Sequence, residues 1–257
     1  MNIHFIRNAT LVVETNTQRI LVDPMLGPVG SLPPYAFLRH RARLNPTAPL
    51  PPSTESALRG VTAGLITHCR RGHFDHLDGA GRKWLAQHGT PVYCSALDQP
   101  YLRRQGINTV PLRLDQPADF VGSGTIRAFE TRHGYGLIGS LMGPGVGYLL
   151  TFADEPSLYI SGDTVLTPTV KTVLATLRPD VTILAAGAAS LDIGKPILMP
   201  IAEMLEFIRL SPGLVIATHL EALNHCPVTR EQLRNAVAQA GLADKVRVPA
   251  DGEIVAI

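Results

Sequence analysis

Short apolar runs separated by turn-forming residues dominate the first part of this chain. Residues 3–6, 10–14 and 19–23 are β-rich runs broken at Asn8 and at Asn16-Thr17, which predicts a meander of three strands stopped by Asp23-Pro24. The pattern then lapses. Between residues 27 and 56, Pro28, Pro33, Pro34, Pro46, Pro49, Pro51 and Pro52 exclude regular helix and central strand. A connection this long in a compact domain is functional or disordered. Tyr35, Phe37 and Leu38 offer side chains to pack it down, so an ordered flap beside an active site is expected.

Strands and helices alternate from residue 63 onward. Strands are expected at 63–67, 91–94, 109–112, 124–130, 147–152 and 157–161, with helices at 79–87 and 98–105. The segment 134–147 is rich in glycine but fits neither G-x-x-x-x-G-K nor a strand-to-helix G-x-G-x-x-G, so a flexible hairpin is expected there rather than a phosphate loop. Further helices are expected at 169–177 and 201–210. A last one is capped by Thr229-x-x-Gln232, carries Leu233, Ala236, Val237 and Ala240 on one face, and stops at Gly241. Continuous apolar runs at 181–185 and 214–217, then 246–248 and 254–257, complete the strands. Two strand-rich halves that each carry helices predict two sheets packed face to face with helices outside. No Gly/Ser-rich linker divides them, so one domain over residues 1–257 is expected.

The bulk numbers narrow the function classes. With 257 residues, 45% hydrophobic and 17% charged, the chain can bury a sizeable core. A net charge of +2 without a dense Lys/Arg tract argues against a nucleic-acid partner. The stretch Leu38-Arg39-His40-Arg41-Ala42-Arg43 reads as a solvated loop, with specific anion binding as the alternative. Cys69, Cys94 and Cys226 form an odd set with no pairing pattern, which fits reduced thiols in the cytoplasm. Neither a signal peptide nor an apolar run near the ~20 residues that span a bilayer is visible, so no membrane partner is expected.

The chemistry concentrates at strand ends. His68, His73, Asp75 and His76 follow the run Leu65-Ile66, and His133, Asp163 and His219 each follow a later strand. Imidazole and carboxylate suit zinc, manganese or iron, and loops just past strands aim side chains while leaving room for substrate. Taken alone, a histidine after a strand is more often a hydrogen-bonded loop residue than a ligand, and Asp163 after Gly162 could be a turn residue; the set is what suggests two metals sharing a bridging carboxylate. His225 and Cys226 are either outer partners of such a site or packing residues, and His4, His40 and His88 lie outside it. Lys195 and Arg71 are candidate anion contacts, near Asp192 and in the histidine loop respectively.

Thr67-His68 with His73-x-Asp75-His76, then His133, Ser161-Gly162-Asp163-Thr164 and Thr218-His219, resembles the metallo-β-lactamase superfamily over essentially the whole chain. Arg7-Asn8-Ala9-Thr10, Leu21-Val22-Asp23-Pro24 and the segment from His219 to Cys226 resemble its branch of L-ascorbate-6-phosphate lactonase-like metal-dependent hydrolases. The resemblance implies an α/β fold in a four-layer αββα sandwich, with one or two divalent ions, zinc before manganese or iron. One ion would take His68, His73 and His133, and the other Asp75, His76 and His219, with Asp163 bridging. Asp75 would also orient the attacking water or take its proton. The chain departs from the family's H-x-H-x-D-H spacing: His68 and His73 are five apart, and strict spacing puts Arg71 where the first histidine belongs. Either the loop bulges at Gly72 and His68 still reaches the metal, or the first site is depleted; the position of Thr67-His68 at the strand end favours the former.

The expected function is metal-dependent hydrolysis, by a metal-bound hydroxide, of a lactone, ester or phosphoester of a small anionic metabolite. The alternatives are a nuclease or phosphodiesterase of the same fold, and a metal-depleted binding protein. A homo-oligomer is left open.

Overall fold

The computed structural model describes residues 1–70 and 72–257; Arg71 lies outside the described residues. One sheet is built from β1 (Asn2–Arg7), β2 (Thr10–Glu14), β3 (Arg19–Val22), β4 (Ala63–Ile66), β5 (Val92–Ser95), β6 (Thr109–Leu112) and β14 (Ile254–Ala256), in the order β14-β1-β2-β3-β4-β5-β6. The other contains β7 (Pro117–Phe120), β8 (Gly124–Arg132), β9 (Pro144–Thr151), β10 (Leu158–Ile160), β11 (Val181–Ala185), β12 (Leu214–Thr218) and β13 (Val246–Arg247), in the order β13-β12-β11-β10-β9-β8-β7. Each sheet opens as an antiparallel meander and continues in parallel: β1-β2-β3 then β3-β4-β5-β6, and β7-β8-β9-β10 then β10-β11-β12-β13.

Alternation along the strands produces the layers. Ile3, Phe5, Leu11, Val13, Ile20 and Leu65 from one sheet meet Ile126, Tyr148, Leu150, Ile160, Ile183 and Ile216 from the other in the central core. Their neighbours point outward: Ile6, Val12, Leu21, Ile66 and Val92 pack under α1 (Thr54–Leu58), α2 (Gly79–His88) and α3 (Gln99–Arg104). On the far side Phe129, Tyr159, Leu184, Val215 and Ala217 pack under α5 (Pro168–Thr172), α6 (Ile201–Leu210) and α7 (Arg230–Gln239). Each large apolar side chain fully buried in these layers is worth about 1.5–3 kcal/mol. The result is helix, sheet, sheet, helix, the expected αββα arrangement.

The capping box on Thr229 and Gln232 forms as its spacing predicts. The segment expected to be one helix at 169–177 is α5 followed by a π-helical turn over Val173–Leu177. The glycine-rich connection is a correction: between β8 and β9 it carries a helix, α4 (Gly136–Met142), rather than a bare hairpin. Gly139 allows it, because its Cα face lies against the Gly134 backbone, where a Cβ would sit 2.4 Å from the carbonyl. Strand β7 and helix α1 were not visible in the sequence pattern; β7 is short and mostly exposed.

The proline-rich segment has no regular element before α1, yet it is pinned at many points. The buried Arg7 guanidinium donates to the carbonyls of Met25, Gly27 and Ala48 at 2.8–2.9 Å. Asn224 donates to the carbonyls of Ala36 and Arg41, and its Oδ1 accepts from the Tyr35 amide and Asn45 Nδ2, both at 3.0 Å. The exposed Asp192 carboxylate accepts the amides of Phe37, Leu38 and Arg39 at 2.8–3.0 Å. All three cysteines are free and buried, and among the described residues no helix is long and apolar enough to cross a membrane.

Candidate metal centre

Seven side chains from both sheets converge at one end of the sandwich. The loop after β4 supplies His68, His73, Asp75 and His76; the ends of β8, β10 and β12 supply His133, Asp163 and His219. All seven are buried. They fall into two groups, His68 with His73 and His133, and Asp75 with His76, Asp163 and His219, in each of which one nitrogen or oxygen per residue lies within 4.8 Å of the others. Asp163 stands between the groups. Its Oδ2 is 3.3 Å from His133 Nε2, 3.2 Å from His76 Nε2 and 3.4 Å from His219 Nε2. Asp75 Oδ2 is 3.4 Å from His219 Nε2 and 3.6 Å from His76 Nε2.

The spacing departure at the first histidine is absorbed by the backbone. Gly72 takes φ +90°, a left-handed value that any side chain would strain, and nothing lies within 4 Å of where its Cβ would be. The bulge brings the His68 ring to 4.4 Å from His73, 4.0 Å from His76 and 5.3 Å from His133. Arg71, the rival for that position by strict spacing, is outside the described residues.

Each imidazole is oriented through its outer nitrogen. His76 Nδ1 pairs with Asp23 Oδ2 at 2.8 Å, His133 Nδ1 with the Ile197 carbonyl at 2.9 Å and His68 Nδ1 with Thr67 Oγ1 at 3.1 Å. His73 Nδ1 pairs with the Arg70 carbonyl, and His219 Nδ1 with Cys226 Sγ at 3.5 Å. On the opposite edges Nε2 of His68, His73, His76 and His219, and Oδ1 of Asp163, are buried with no hydrogen bond, those of His76 and His219 meeting only the Asp163 and Asp75 carboxylates at 3.2–3.6 Å. Buried polar atoms are ordinarily satisfied, so five orphans facing one small space call for a ligand. Outer nitrogens held by protein acceptors and inner nitrogens left free are what a divalent cation requires of histidine. The donor set fits one or two such ions.

Electrostatics separate the two groups. Burial pushes the His68 pKa well below its usual value, and it lowers His73 to about 4, with neighbouring histidines adding to both effects. Burial would lower His76 and His219 too, but the Asp163 carboxylate, helped by Asp75, raises both well above normal. Burial would raise Asp163 and Asp75, yet the charges of His219 and His76 hold both carboxyls far below the usual range.

The supporting residues are spread along the chain. Asp23 accepts both the amide and the hydroxyl of Thr67 (2.8 and 2.6 Å) besides His76, so the Leu21–Pro24 motif steers the histidine loop from outside. Asn8 donates to the Asp75 carbonyl and accepts the His219 amide at 2.8 Å, tying two members of the second group together through one turn. His219 itself has φ +62°, and a non-glycine residue held there signals an over-determined, functional backbone. Cys226, expected as an outer partner or a packing residue, touches His219. Tyr35 and His225 were not singled out as a pair: their rings meet edge to face at 4.9 Å, and Tyr35 Oη and His225 Nδ1 are buried without partners. His4 pairs with Glu14, His40 with Ser190, and His88 stacks on Trp84, all away from the centre. Lys195 is exposed.

Residues 18–220 match the β-lactamase superfamily domain. The UPF0173 protein YddR of Bacillus subtilis is 30% identical over 98% of both chains, and a UPF0173 metal-dependent hydrolase of Koribacter versatilis is 28% identical over 54% of this chain and 60% of its own. Among solved structures, the isothiocyanate hydrolase from Delia radicum gut bacteria superimposes with a TM-score of 0.90 at 32% identity, covering 100% of this chain and 99% of that one. A possible metal-dependent hydrolase from Veillonella parvula gives 0.89 at 27% identity over 100% and 99%.

Proposed function

The chain belongs to the β-lactamase superfamily and is a metal-dependent hydrolase of that fold, and from this premise we propose that it adds water to an electrophilic carbon of a small, weakly polar molecule at the His/Asp centre. An ester or lactone carbonyl and the central carbon of an isothiocyanate are the substrates that fit. The observation that carries this reading is the surface next to the candidate ligands. Tyr35, Ile138, Met142, Leu191, Ile197 and Leu223 form one apolar cluster with Ala185 and Cys226. Met142 borders the space beside His68 and His73, and Ala185 that beside His76 and Asp163. Arg70, close to His68 and His73, is neutralised by Asp98 at 2.8 Å. An uncharged substrate body is therefore favoured over a phosphoester at the centre itself, and the structurally similar isothiocyanate hydrolase supports the choice.

His68, His73 and His133 would hold one ion, and Asp75, His76 and His219 a second, with Asp163 shared. When bound, such ions act as Lewis acids and make water available as a nucleophile near neutral pH. The chain's own groups do the rest. Asp75 Oδ2 accepts the proton of the attacking water, and the Nδ1 contacts of the histidines hold the ligand geometry while charge moves. Tyr35 Oη, a donor buried without a hydrogen bond, would hold the substrate heteroatom, and the apolar cluster would exclude bulk water. With an isothiocyanate the balance is R–N=C=S + H2O → R–NH2 + COS, the C–N bond breaking as the amine nitrogen gains protons. An ester or lactone gives acid and alcohol.

Elemental analysis combined with hydrolysis of phenethyl isothiocyanate, a γ-lactone, a thioester and a phosphodiester tests this reading. Turnover of a carbon electrophile by protein containing metal supports it. Turnover of the phosphodiester alone would replace it with the phosphodiesterase alternative.

A further inference from the structure

A second cavity lies between the tip of the proline-rich segment and the loop after β12, bordering the metal centre through Cys226, which touches His219. It has a volume of ≈ 440 Å³, and none of the seven candidate ligands lines it. We infer that this cavity binds a small molecule bearing an oxyanion, phosphate or carboxylate, independently of the hydrolytic site.

The argument begins with charge. Arg39, Arg41 and Arg43 line one wall at alternating positions, with His40 between them. Among the described residues the guanidinium groups of Arg41 and Arg43 make no hydrogen bond or ion pair. That of Arg39 donates to the Gly194 carbonyl at 3.2 Å, a neutral acceptor. Glu221 lines the same cavity, but both its oxygens are occupied by Arg230, Oε1 by the amide at 3.1 Å and Oε2 by Nη1 at 2.5 Å. Asp192 stands near Arg39 and partly offsets it, though its carboxylate is engaged by three backbone amides of the same segment.

Three cations on one wall repel one another, so an unconstrained loop would splay them into solvent. This loop is constrained. Asn224 and Asn45 lock to each other through side chain and backbone, Asn224 Nδ2 holds the Arg41 carbonyl, and Thr47 binds both Glu221 and Ala222 through their carbonyls. The backbone that carries the three arginines is therefore fixed, and among the described residues no acidic partner balances Arg41 and Arg43. An oxyanion would, because guanidinium groups donate charge-assisted, forked hydrogen bonds that match carboxylate and phosphate. Leu223 and Cys226, which also line the cavity, provide an apolar floor with room for a carbon skeleton beyond the anionic group.

Calorimetric titration of the full-length protein with inorganic phosphate and with citrate at fixed ionic strength tests the inference. Each titration is run on protein as purified and after metal removal with 1,10-phenanthroline, a neutral chelator that does not compete for an anion site. The metal-free arm makes the outcome independent of whether the hydrolase reading stands. Saturable binding of one anion is expected in both arms. It should weaken at least about tenfold in R41A/R43A and be partly kept in R41K/R43K, with unchanged melting temperatures. The tighter anion identifies phosphate or carboxylate as the recognised group. Absence of saturable binding below about 10 mM, equal affinity in wild type and R41A/R43A, or binding confined to the metal-containing protein would each overturn it.

Discussion

Asp23 Oδ2 lies 2.8 Å from Nδ1 of His76 while the same carboxylate takes both the amide and the hydroxyl of Thr67. One buried acid, 44 residues before the loop, thereby sets the direction of the strand end and of an imidazole on it. Asp23→Asn removes that charge but not the shape. Outer-shell changes of this kind cost about 10–100-fold in metal affinity, and chelator-competition titration should show a loss of that size with the circular dichroism spectrum unchanged.

Asp75→Asn removes the proposed proton acceptor together with one proposed ligand of the second ion. The variant should lose at least about 100-fold in kcat on any substrate the wild type turns over. Elemental analysis should still find metal, because His68, His73 and His133 do not include Asp75. Full activity in the variant would place the chemistry elsewhere.

His225 provides a pH signature. It is 5% exposed, and burial lowers its pKa to about 3, with the Asp75 charge opposing in part. In the unfolded chain the same imidazole takes up a proton below about 6.5. Between those values the unfolded state binds more protons, so stability is full above about pH 6.5 and erodes as pH falls toward 3, by up to about 1.4 kcal/mol per pH unit from this group. His225→Gln should flatten the melting temperature against pH across that window in metal-free protein. A slope identical to wild type would contradict it.

Asp192 fastens the proline-rich segment from outside. In Asp192→Ala the amides of Phe37, Leu38 and Arg39 lose their acceptor, and limited proteolysis should cut between residues 37 and 44 faster than in wild type. The exposed Phe37, Leu38 and Arg41 side chains already offer a protease its recognition groups.

Gly81 sits where α2 meets the turn after β3, and a Cβ there would be 1.9 Å from the Pro24 carbonyl oxygen. Helix propensity alone favours alanine in this helix. The clash should win, and Gly81→Ala should destabilise by about 2–4 kcal/mol in urea unfolding.

Local signals carried the parts of this molecule that depend on local physics. β-Rich runs such as 10–14 and the Thr229/Gln232 box became a strand and a capped helix because neighbours in sequence decide them. Helix α4 was hidden by its glycines: Gly136, Gly139 and Gly143 disfavour helix in isolation, and it forms because Gly139 can lie on the Gly134 backbone and Ile138 and Met142 join an apolar cluster. The candidate ligands were legible because each follows an apolar run. Their support was less so. Asn8 reads as a turn residue, and only the folded chain places it against Asp75 and His219, 67 positions away in the first case. The pattern offered Tyr35 as packing for the flap and Arg41 as part of a solvated or anion-binding stretch, but their actual neighbours depend on the Asn45–Asn224 lock between segments 179 residues apart.

The seven candidate ligands are divided between the sheets, four on the loop after β4 and three just past the ends of β8, β10 and β12. Neither half of the polypeptide, produced by itself, could therefore assemble the binding geometry. Metal uptake becomes an assay of global assembly: two separately expressed fragments should each refuse the ion, and regain it only when mixed and docked.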